Sequence, residues 1–130
     1  MDNCIFCKII KNEIPSEKIY EDEKFLAFLD IQPVLYGHIL IIPKEHVVWM
    51  QDASDETIAG IFTLAKKLMP ILIKNLNYDF VNINVNGKDI PHFHVHLIPR
   101  LFNDGLGSWE TKKYKDGEME EIAKKITQAF

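Results

Sequence analysis

The sequence predicts an α+β fold: an antiparallel sheet of about five strands, one main helix covering it and a helix at the C-terminal end. Two observations predict it. Four short segments show either two-residue alternation or a largely continuous apolar run, the two patterns of strands, and a fifth pairs with one of them as a hairpin. One long stretch repeats its apolar residues at 3.6-residue spacing, the pattern of a helix with one buried face.

The bulk composition sets the frame. With 130 residues, 47% hydrophobic and 26% charged, the chain suits one compact domain and has too much apolar surface for a disordered one. No repeat or low-complexity linker divides it, so residues 1–130 read as one domain, with a core at about 4–109 and a helical tail at 110–130. Fifteen Lys and Arg stand against 19 Asp and Glu, a net charge of −4 that opposes nonspecific binding to nucleic acid. The longest apolar run, Ile39 to Pro43, is far short of the roughly 20 residues that cross a membrane, and Met1 to Ile10 lacks the apolar core of a signal peptide. The expectation is a cytoplasmic protein with neither a membrane nor a nucleic-acid partner.

Taken in order, Cys7 to Lys11 suits a short helix ended by Pro15. Ile19 to Glu23 and Phe25 to Leu29 read as a hairpin with charged residues at its turn, closed by Asp30. Gly37 to Pro43 is apolar almost throughout, as a strand buried on both faces would be, and belongs at the sheet centre. Ser54-Asp55-Glu56 caps a helix whose apolar positions are Ile58, Ile61, Phe62, Ala65, Leu68, Met69 and Leu72, with Pro70 as a point of kinking. Phe80 to Val85 alternates apolar with amide side chains, and a loop follows at Asn86 to Asp89. His92 to Pro99 alternates again. Met119, Ile122, Ala123, Ile126 and Phe130 then mark an amphipathic terminal helix.

The strand from His92 carries the chemistry. Alternation puts His92, His94 and His96 on one face and Phe93, Val95 and Leu97 on the other. Same-face neighbours on a strand stand nearly ~7 Å apart, so three of them close on a single metal ion only with difficulty. A neutral imidazole, with an ordinary pKa of about 6.5, is instead an available nucleophile at physiological pH. The remaining signal is Cys4-x-x-Cys7, too close in sequence to staple a fold and suited to metal binding or redox chemistry.

His92-Phe93-His94-Val95-His96-Leu97-Ile98 resembles the signature of the histidine triad family, as do Cys4 to Ile10, Phe28 to Pro33, Gly37 to His46 and His96 to Arg100. The resemblance spans residues 4 to about 109 and implies a nucleotide hydrolase or transferase. In such proteins the middle histidine, here His94, attacks the α-phosphate to give a nucleotidyl-histidine that water resolves, with no catalytic metal. It further implies that His96 hydrogen-bonds the phosphate or the bridging atom and that His38 supports the triad, core packing being the alternative for His38. The implied nucleoside pocket uses Phe25, Phe28 and Ile31 for the base and Asp30 for the ribose hydroxyls, with plain core as the alternative for the aromatics. Asn86, or else Asn84, is the implied phosphate-contacting amide.

The substrates implied are purine phosphoramidates or dinucleoside polyphosphates, with adenosine the favoured nucleoside, and the assembly implied is a homodimer in which Ile61 and Leu68 serve either the interface or the internal core. Some members hold a structural zinc, for which the resemblance makes Cys4, Cys7, His46 and His92 the candidate ligands here, bare thiols being the alternative. The chain departs from the family where a Gly-Gln pair and a hydroxyl residue usually precede the triad. Gly87-Lys88-Asp89-Ile90-Pro91 stands there instead, with Lys88 as a substitute charge. A nucleotide-binding regulator with negligible turnover is the rival reading.

Overall fold

The computed structural model describes residues 3–107 and 109–130; Met1, Asp2 and Ser108, counted into the single domain above, lie outside the described residues. Five strands, β1 (Lys18–Glu21), β2 (Phe25–Leu29), β3 (Ile39–Pro43), β4 (Phe80–Asn84) and β5 (Val95–Arg100), form one antiparallel sheet in the order β1-β2-β3-β5-β4. The apolar run does form the central strand. Every residue of β3 is buried, because helices cover both of its faces.

One face carries α2 (Asp55–Leu76). Ser54 caps it by accepting the Thr57 N–H at 3.1 Å, and Asn77, left-handed at φ 61°, ends it. Its buried residues are Ile61, Leu64, Ala65, Leu68 and Leu72, which close a core with Phe25 and Ala27 of β2, Ile39 and Ile41 of β3, and Val95 and Leu97 of β5. Ile61 and Leu68 therefore serve the internal core. Gly60 lets β2 approach: a Cβ there would meet the Phe25 ring at 2.7 Å.

The opposite face carries α1 (Ile5–Ile10), packed through Phe6, Cys7 and Ile9 on Leu26, Phe28, Leu40 and Ile42. It begins two residues earlier than the sequence suggests, because the Cys4 sulfur accepts the Cys7 N–H at 3.3 Å and acts as the cap. The C-terminal helix α3 (Glu118–Thr127) forms as expected, yet buries none of its residues.

Candidate active site and metal centre

All the candidate histidines gather on the α1 face, but only His96 stands in a strand. β5 begins at Val95 rather than His92. The approach is held otherwise: the Phe93 N–H donates to the Val47 carbonyl at 2.6 Å, and the His92 carbonyl is occupied by the ring of His94 at 2.7 Å. With its backbone groups taken, the segment cannot extend the ladder, although the alternation of side chains persists. His92 and His94 are buried, their rings both edge-on to Phe6 at centroid distances of 5.8 and 5.2 Å.

The proton on each ring follows from its partner. A carbonyl oxygen only accepts, so His94 Nδ1, 2.7 Å from the His92 oxygen, carries the proton and Nε2 keeps a lone pair. A backbone N–H only donates, so His38 Nδ1 accepts from Val34 at 3.1 Å and His38 Nε2 must be the protonated nitrogen. That proton is donated to His96 Nδ1 at 2.9 Å, which leaves His96 with its own proton on Nε2. The chain Val34–His38–His96 thus delivers a lone N–H donor beside the lone pair of His94, the rings being 5.0 Å apart. Burial, reinforced by the neighbouring His94 and His38 rings, pushes His96 down to about 4 and keeps it neutral near pH 7. Burial likewise lowers His38, against the opposing pull of Asp30.

The His94 and His96 rings open onto a cavity of about 320 Å³ between α1 and the sheet. The register explains its floor: Phe28 pairs with Leu40, Leu40 with His96, and His96 with Asn84, a row of four across adjacent strands. Phe28, Asp30 and Ile31 line the cavity, Ile31 as an exposed rim. Asp30 accepts the Gln32 N–H at 2.9 Å with one oxygen and sits 3.6 Å from His38 Nε2 with the other.

Phe25 corrects the sequence reading. It lies three residues from Phe28, so period two puts it on the opposite face, against Gly60 in the α2 core. Asn84 is brought beside His96 by register, whereas Asn86 is exposed in the following loop with its Oδ1 accepting the Lys88 N–H at 3.3 Å. Lys88 is exposed and forms no part of the cavity wall. Two cavity residues escape sequence reasoning: Asp89, and Ser16, whose buried Oγ has no hydrogen-bond partner among the described residues. A larger groove of about 620 Å³ by Ile19, Ile71 and Leu76 has no charged or histidine side chain in its lining.

Cys4, Cys7, His46 and His92 converge so that their ligand atoms all lie within 4.8 Å of one another. His92 Nε2 donates to the Pro43 carbonyl at 2.8 Å, which bares Nδ1 toward Cys4 Sγ at 3.3 Å and Cys7 Sγ at 3.6 Å; His46 Nδ1 is 3.3 Å from Cys7 Sγ. Around a tetrahedral ion with usual bond lengths, sulfur and nitrogen ligands stand about 3.5 Å apart, so the set fits a metal. The carbonyl behind His92 is the usual outer support of a ligating imidazole. Without an ion, burial and the adjacent Cys4 hold the Cys7 thiol up at about 11. Asp30, His38 and His96 also lie close together, but His38 Nε2 can offer a lone pair only if Nδ1 takes the proton and faces the Val34 N–H donor to donor. That cluster is a hydrogen-bonded chain rather than a metal site.

An open antiparallel sheet bearing a histidine-lined cavity and a separate Cys2His2 cluster defines the class of protein. Residues 11–103 match the model of the HIT domain, and the chain belongs to the histidine triad family. It is 38% identical to the adenosine 5'-monophosphoramidase of Schizosaccharomyces pombe over 96% of each chain. Among solved structures, a HIT family member from Bacillus subtilis superposes with a TM-score of 0.86 at 36% identity, covering 98% of this chain and 97% of that one. A zinc-bound histidine triad protein from Mycobacterium smegmatis gives 0.78 at 31% identity, with 99% of each covered. Among the described residues, no helix is long and apolar enough to cross a membrane.

Proposed function

We propose that the protein hydrolyses adenosine nucleotides at the α-phosphate, with phosphoramidates or dinucleoside polyphosphates as substrates. The observation that carries this is the 2.7 Å bond from His94 Nδ1–H to its own chain at His92, which leaves Nε2 unprotonated at a cavity wall. His94 Nε2 forms a bond to phosphorus as the bond to the leaving group breaks; the His96 Nε2–H hydrogen-bonds the departing atom, which takes its proton from solvent. Water then cleaves the nitrogen–phosphorus bond, releasing nucleoside monophosphate and restoring His94. Phe28 and Ile31 take the base, Asp30 the ribose hydroxyls, and Asn84 rather than Asn86 the phosphate. The name of the fission-yeast relative supports the adenosine assignment.

In the same reading Cys4, Cys7, His46 and His92 hold a structural zinc that ties the N-terminus to the triad segment and takes no part in turnover. The protein works as a two-fold homodimer, on family resemblance.

The test follows nucleoside monophosphate release and protein-bound label from a labelled adenosine phosphoramidate and a dinucleoside polyphosphate, in chelator. His94→Ala is expected to abolish both release and labelling. Wild type that binds nucleotide and releases nothing would instead establish the regulatory reading.

A further inference from the structure

The wall of the triad cavity contains two carboxylates, Asp30 and Asp89, and neither a lysine nor an arginine among the described residues. That is an unusual lining for a phosphate site, since fixed cations are the common means of holding multiply charged anions. His96 does not supply the missing charge, because its Nδ1 accepts the His38 Nε2 proton and burial keeps the ring neutral. The two acids are also unequal. Asp30 is engaged by the Gln32 N–H and faces the His38 ring, whereas Asp89 is exposed and makes no side-chain hydrogen bond or ion pair among the described residues. Asp89 stands two residues after Gly87, whose left-handed φ of 68° and packing on Trp49 set the loop against the triad.

We propose that Asp89 is a specificity-determining residue that disfavours polyphosphate leaving groups and so directs the site to nucleotides whose α-phosphate carries a neutral or cationic group, such as an amine. This rests on the α-phosphate reading above. An uncompensated carboxylate at the wall repels each further phosphate charge, while it attracts a leaving amine as that amine gains its proton. Two unit charges about 7 Å apart in surroundings of effective dielectric about 50 change an equilibrium roughly fivefold, which sets the scale of the effect.

The experiment measures binding of AMP, ADP and ATP by calorimetry in chelator, so that no divalent cation masks phosphate charge, for wild type, Asp89→Asn and Asp89→Glu. Wild type should bind ATP more weakly than AMP. The neutral isostere should narrow that gap by about three- to fivefold, Asp89→Glu should keep it, and added salt should shrink it in wild type and Asp89→Glu but much less in Asp89→Asn. In turnover, Asp89→Asn should shift the ratio of kcat/KM toward the dinucleoside polyphosphate by a similar factor. ATP binding as tightly as AMP in wild type, or an unchanged gap in Asp89→Asn, overturns this inference alone. Failure to bind AMP at all overturns the nucleotide reading with it.

Discussion

His38, His92, His94 and His96 are the same residue type in four different states of use, and the difference lies in what each ring faces. Two rings face carbonyl oxygens and so donate, one accepts from a backbone N–H, and the fourth accepts from its neighbour. Removing His38 should therefore cost more than its own contacts. His38→Ala strands the Val34 N–H and His96 Nδ1, and unfolding in denaturant should show a loss of about 1–3 kcal/mol. Ser16→Ala should go the other way, stabilising the free protein by about 1 kcal/mol, because it deletes a buried hydroxyl with no partner among the described residues. The three triad histidines and the cysteine pair were legible from spacing, whereas His38 and His46 were legible only through the family resemblance. The sequence could not identify Ser16 or Asp89, since an unpaired hydroxyl or carboxylate is defined by neighbours distant in the chain. Phe25 was decidable in principle: residues three apart cannot share a strand face, and that parity outranks an aromatic ring's appeal as a base platform.

Elements were legible to the extent that local forces make them. The N-cap of α2 and the apolar run of β3 act within a few residues, so both appear where the pattern puts them. Two boundaries moved. The start of α1 depends on a sulfur cap three residues away, a side chain outside the usual capping set, and the start of β5 is delayed because the distant Val47 carbonyl and the His94 ring take the groups that a ladder would need. A helix of six residues is far below the length that stands alone in water, so α1 depends on its packing and on the cluster at its first turn. Refolding without zinc, compared with refolding in its presence, should give a protein with a lower Tm and loosened amide protection confined to residues around α1, as the proposed metal site requires. Gly60→Ala tests the other face. A helix interior normally gains about 1 kcal/mol from that change, but here the new methyl overlaps the Phe25 ring, and a net loss of about 1–3 kcal/mol is expected in thermal unfolding.

For the whole molecule, the sheet divides labour between its faces: apolar packing against α2 on one side, all the titratable machinery on the other. Acid stability follows from that division. Burial lowers His38, His92 and His96, the last from 6.5 to about 4, so between these values the unfolded chain binds protons that the folded chain refuses. Stability is therefore full above about pH 6.5, falls as pH drops through that window, and loses nothing further from His96 below about pH 4. Tm measured at intervals from pH 7 to pH 4 should trace this fall, and His96→Gln, with nothing to titrate, should flatten it in part.

Residue 92 sits on the seam of that divided face. Its imidazole turns toward the two thiols, while its carbonyl orients the His94 ring two positions on. One peptide unit thus joins two sites that share no side chain, and a strain on either is felt at the other. Filled with cobalt, whose visible absorption responds to small changes in a four-coordinate thiolate site, the cluster becomes an optical gauge of the cavity: its colour should shift when a nucleotide engages His94, with no metal near the nucleotide.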